Sequence, residues 1–194
     1  MIVQRSFNLM PTIVKNLLII NGLFFLGMTS IRTTFGIDIT DWLGLYFPAS
    51  SEFLPVQLVT HMFMHGNFGH IFSNMLMLWF LGSAMENHWG PKRFLTYYLL
   101  TGLGASALQI GVNALEYINI VSNVSSEMLE LISSGDIKLG YISEGVNYGQ
   151  EIWIKGTEMF KPANSAEIQL FYSLKSPMVG ASGAVFGVLL AFGM

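Results

Sequence analysis

Apolar residues run together along four stretches of this chain instead of alternating with polar ones. Three of the stretches approach or reach the roughly 17–25 residues that a helix needs to cross a bilayer. The first runs from about Ile13 to about Ile31, the second from about His70 to about His88, and the third from about Phe94 to about Leu115. Lys15, Asn16 and Asn21 interrupt the first, and Lys15 sits at its end, where a long side chain can snorkel to the headgroups. That stretch is too long for the apolar region of a signal peptide and shows no small-x-small cleavage site around Gly27-Met28-Thr29, so it reads as a retained helix. The fourth stretch begins near Met178 and is still apolar at Met194, which predicts a truncated chain.

Composition sharpens this into a class. Hydrophobic residues make up 52% of the 194 positions and charged residues 11%, against about 25% charged in an ordinary soluble domain. That much apolar surface calls for an apolar solvent, so the chain is read as an all-α polytopic membrane protein, one membrane domain over residues 1–194. The net charge of −3 and the lack of a basic stretch with interleaved aromatics argue against nucleic acid as a partner. There is no cysteine, which removes disulfides, thiolate metal sites and cysteine nucleophiles together.

Charge in the short segments sets the expected orientation. Arg5 and Lys15 lie at the start of the first span and Lys92 and Arg93 between the second and third, so both regions are expected in the cytoplasm. Arg32–Gly69 and Glu116–Lys175 are then outside, the latter carrying eight acids and four lysines. Residues 116–176 are too long for a plain connector and are expected to be an extracytoplasmic insertion. Glycines 135, 140, 145, 149 and 156 punctuate it, and Ser126–Ile132 has the pattern of a short amphipathic helix. In this topology the second and fourth spans run the same way, so His70 and Ser182 share a depth near the outer face. His88 is about 27 Å from His70 at 1.5 Å per residue, at the wrong end.

Two polar clusters interrupt the apolar background. The first, His61-Met-Phe-Met-His65-Gly-Asn-Phe-Gly-His70-Ile-Phe-Ser-Asn74, concentrates groups that cost several kcal/mol to bury without partners. His70 and Asn74, four apart, share a helix face and can aim N–H donors at one point, as an oxyanion hole requires. The same pair can also simply bond neighbouring helices. His61 and His65 with Met62 and Met64 have a spacing open to a metal, but without acids or cysteine nearby, so no metal or cofactor is expected. The second cluster, Gly180-Ala181-Ser182-Gly183, puts a serine between small residues in the first turns of a helix, where free N–H groups and the dipole favour a developing anion. Gly183 and Gly187 also suit close helix packing, so this motif alone does not establish chemistry.

Together the clusters are more specific. The run His61…His65…His70-x-x-x-Asn74, then Leu81-Gly82-Ser83-Ala84-Met85-Glu86, then Gly180-Ala181-Ser182-Gly183 resembles the rhomboid intramembrane serine proteases in order and spacing. The resemblance implies a rhomboid-like helical bundle, with four transmembrane helices present of an expected six. It implies an endopeptidase cleaving transmembrane or juxtamembrane segments by acyl transfer, with Ser182 as nucleophile and His70, Asn74 and the serine's own N–H stabilising the oxyanion. It gives His61 and His65 supporting roles in the outer loop and Glu86 a structural one. Phe186 stands where an aromatic packs against the family's base histidine. That base belongs to a later helix, and all four histidines of this chain precede Ser182. The rival reading is an inactive rhomboid-like adaptor that binds transmembrane helices; a histidine-based metal or haem protein is a more remote one.

Overall fold

The computed structural model describes residues 7–134, 137–144, 147–154, 160–162 and 164–193, the strands by their backbone. Arg5, Gly135, Gly145, Gly156 and Met194, which carried parts of the reading above, lie outside the described residues. The elements in chain order are α1 (Thr12–Phe35), α2 (Thr40–Leu43), α3 (Gln57–Thr60), a 3-10 turn (His61–Phe63), α4 (Phe68–Met77), a π turn (Leu78–Gly82) and α5 (Ser83–Trp89). They continue as α6 (Pro91–Val121), α7 (Ser126–Ser134), β1 (Ile137–Glu144), β2 (Asn147–Ile154), β3 (Phe160–Pro162), α8 (Ser165–Lys175) and α9 (Ser182–Phe192). Two compact units result: Met1–Leu45 with Pro55–Leu108 and Met178–Met194, and Tyr46–Leu54 with Gln109–Pro177.

The first unit is an α-helical bundle of membrane type. Three described helices are long and apolar enough to span: Thr12–Phe35, Phe68–Trp89 and Pro91–Val121. Within their most apolar windows only 22%, 33% and 17% of residues are buried, so most of the apolar surface is left for lipid. The fourth apolar stretch forms the shorter α9, because Met178–Ala181 is used for a bridge and a turn. Val14 and Leu17 of α1, Leu78, Phe94 and Tyr98 of α6, and Val185 of α9 belong to the common core.

Polar side chains on α5 and the π turn hold the start of α1. The Glu86 carboxylate accepts from the amides of Ile13 at 2.9 Å and Val14 at 2.8 Å. These are first-turn donors with no partner inside the helix, and an anion there also meets the positive end of the dipole. Pro11, extended at the N-cap, has no side chain that can do this. Asn87 exchanges two hydrogen bonds with the Asn8 backbone, and Trp79 Nε1 donates to Leu9 O at 2.9 Å. Gly90, at φ 83°, then reverses the chain into α6.

The second unit has its own core of Phe47, Met128, Ile132, Leu170 and Leu174. The short amphipathic helix expected at Ser126–Ile132 is α7, with Met128 and Ile132 inward. Asn164 and Glu167 form a capping box at the start of α8, and Lys175 pairs with Glu52 at 3.2 Å. Between α7 and α8 the strands make an antiparallel meander in the order β1-β2-β3. The sequence did not disclose it, since Gly140 and Gly149, read as punctuation, lie inside paired strands.

Candidate active site

Asn67 fixes the start of α4. Its side-chain oxygen accepts from the His70 amide at 2.9 Å, the Asn-x-x-His form of an N-cap, and so sets His70 in the first turn. Asn74 follows one turn later and is buried, with its Nδ2 unpartnered among the described residues. His65, on the loop before α4, packs edge-on to His70 with ring centroids 5.2 Å apart. It is 1% exposed, and neither of its ring nitrogens makes a well-formed hydrogen bond to a described residue. Burial, with the neighbouring His70, lowers His65 to about 4 against a weaker pull from the Phe63 backbone, so the ring is neutral.

His61 is held differently. Its Nδ1 lies 2.8 Å from Gln57 O and its Nε2 3.0 Å from Ser106 Oγ on α6. Burial lowers its pKa, opposed by the Gln57 and Leu58 backbone, which fits a neutral ring donating from Nδ1 and accepting at Nε2. Ser106 Oγ is also 2.9 Å from Gly102 O, so its one proton is divided between two acceptors. With both nitrogens of His61 engaged by the protein, neither is free for a metal. Ser106 was missed by sequence reading; the only signal, Gly102-x-x-x-Ser106, reads as helix packing.

The serine turn reaches this cluster through its backbone. Leu45 and Met178 exchange two hydrogen bonds of 2.9 and 2.8 Å, and the Gly180 amide donates to His61 O at 2.8 Å. Gly180 has φ +114°, and a Cβ built on it would sit 2.6 Å from His70 Cε1, 2.7 Å from Nε2 and 3.5 Å from Asn74 Nδ2. Only glycine fits this conformation and this approach. Ser182 is then the first residue of α9, half-buried, with its amide among the donors left free at a helix start.

Gly183 serves a different purpose from Gly180. Its Cβ position is 2.5 Å from the Ala105 side chain of α6, and one turn on Gly187 is in similarly close contact with Thr101. Tyr97 Oη donates to Gly187 O at 2.9 Å. The small-residue stripe is therefore the packing face of α9, while Gly180 supplies the turn. Phe186 is 62% exposed. His88 lines a cavity with Ala191 and Phe192, at the other end of α9, about 15 Å along the helix from Ser182.

The rhomboid domain model matches residues 54–130, a segment holding His61, His65, His70, Asn74, Glu86 and Ser106. Over that segment the chain is similar to the rhomboid family. It is 40% identical over 53 residues to RHOMBOID-like protein 12, mitochondrial, of Arabidopsis thaliana, which is 27% of this chain and 16% of that protein. It is 31% identical over 68 residues to Rhomboid protease GlpG of Salmonella newport (strain SL254), 35% of this chain and 25% of that protein. The segment matched is thus a quarter or less of each relative. The rhomboid match ends before the Gly180–Gly183 turn, whose case rests on its geometry.

Proposed function

We propose that this protein is a rhomboid-type intramembrane serine endopeptidase acting on transmembrane or juxtamembrane segments of other membrane proteins. The observation that carries the reading is the seating of Gly180 against His70 and Asn74, which brings the residue two before Ser182 onto the donor pair. Ser182 Oγ attacks the scissile carbonyl and its proton passes to a general base. The oxygen that becomes negative accepts from the Ser182 amide, His70 and Asn74 Nδ2. An amide donor that is buried and unpartnered, as Asn74 Nδ2 is, stands ready without first breaking another bond. Collapse of the tetrahedral species breaks the peptide bond, the base returns its proton to the leaving amine, and water hydrolyses the acyl-enzyme.

None of the four histidines is assigned as that base. His61 is committed to Gln57 and Ser106, His65 supports His70, His70 is a donor, and His88 is at the far end of α9. The base in this reading is a histidine supplied from outside these residues, forming a Ser-His dyad. With Lys92 and Arg93 in the cytoplasm, the site opens on the extracytoplasmic side and residues 116–176 are an outer insertion. The test is fluorophosphonate labelling of the protein expressed from its complete reading frame. Wild type labels and Ser182→Ala does not; equal labelling of the two would sink the assignment.

A further inference from the structure

A second cavity has no part in this chemistry. It lies at the start of α6, has a volume of about 570 Å³, and is lined by Trp89, Lys92, Arg93, Thr96, Tyr97 and Leu100. Arg93, Thr96, Tyr97 and Leu100 recur at helical spacing, so charge, hydroxyl, aromatic ring and alkyl chain follow one another down a single face of a span. Trp89 closes the side, edge-on to Tyr97 with ring centroids 5.0 Å apart. Leu100, 62% exposed, ends that face.

The upper end is electrostatically unbalanced. Two cations stand in the first turn of a helix, where the dipole is already positive, and no acid stands there with them. Neither pairs with a carboxylate among the described residues. The amides of Lys92 and Arg93 are among the donors a helix start leaves free. Like charges on a like-charged helix end are destabilising unless an anion shares the site.

We propose that this cavity binds an anionic phospholipid of the adjacent leaflet. Its phosphate is held between Lys92, Arg93 and the start of α6, and an acyl chain runs along Tyr97 and Leu100. The polarity gradient favours a lipid over a free anion: phosphate alone would satisfy the cations and leave the apolar end empty. The cavity is open at the surface, as lateral entry of a lipid requires, and basic pockets between transmembrane helices take such headgroups. The proposal does not depend on the role of Ser182.

Native mass spectrometry of the purified chain, titrated with phosphatidylglycerol, phosphatidylcholine or inorganic phosphate, tests it. The expected result is phosphatidylglycerol retained about tenfold or more over phosphatidylcholine, weakening with salt, and not displaced by inorganic phosphate. Lys92→Gln with Arg93→Gln removes the preference. Thr96→Trp keeps both charges but fills the cavity, and also removes it. Equal retention of the two lipids by wild type overturns the proposal without any variant being needed. Displacement by phosphate alone, or a preference that survives in folded Thr96→Trp, also overturns it.

Discussion

The helix Phe68–Trp89 carries polar side chains at both ends, and the two ends treat them in opposite ways. At the α5 end the polar side chains that meet the start of α1 are partnered: Glu86 takes two amides, Asn87 pairs with Asn8, and Trp79 donates to Leu9. At the α4 end Asn74 Nδ2 and both nitrogens of the adjoining His65 are buried and make no well-formed hydrogen bond to a described residue. Leaving such a group unmet costs about 1–3 kcal/mol, so it persists only where something offsets it. The satisfied end is structure, and the unsatisfied end is where the rhomboid reading puts its chemistry.

Four sets of measurements test that contrast. The largest effect is expected from Glu86→Ala, which strands two first-turn amides and should lower stability by about 4 kcal/mol. Unfolding in detergent measures it, and turnover by the protein that remains folded should not change. Asn74→Ala and His70→Ala should do the reverse, slowing substrate cleavage about 100-fold each with little loss of stability. A variant at either end that moved both quantities together would erase the distinction.

Acid should reveal the unsatisfied end next. The folded pKa of His65, about 4, lies below the ordinary value of 6.5, so the unfolded chain binds the proton more readily. Stability is then full above pH 6.5 and is lost as pH falls toward 4, by about 2 kcal/mol at pH 5. His65→Gln should flatten that slope in a pH series of thermal melts. The smallest effect belongs to Asn67, a satisfied residue at the same end as Asn74 and His65. Asn67→Ala should cost about 1 kcal/mol and Asn67→Ser should restore most of it; if Asn67→Ala leaves stability unchanged, the cap contributes nothing.

How much of this was legible follows from distance along the chain. The spans could be read because a lipid-facing helix is apolar on most sides, and α7 because its pattern is local. His70 and Asn74 could be paired because four residues on a helix make one face. Glu86 came with a structural role from the rhomboid resemblance, but its partners lie 72 and 73 residues upstream, beyond any local pattern. Ser106 is 45 residues from His61 and is written as an ordinary small residue on a packed helix. The Gly180–Gly183 motif was visible, but the division between a turn glycine and a packing glycine was not. It depends on α4 lying against one and α6 against the other.

The π turn at Leu78–Gly82 sets the phase between the two ends. Asn74 and Glu86 are twelve positions apart, which in an unbroken α-helix would turn them about 120° away from each other. A π turn holds roughly one residue more than an α turn, and absorbing it reduces the offset to about 20°. Both ends can therefore look inward although a regular helix of this sequence would have to choose one. Deleting a single residue from Leu78–Gly82 would leave the composition almost untouched, yet it would rotate His70 and Asn74 away from Gly180 or the Glu86 carboxylate away from α1.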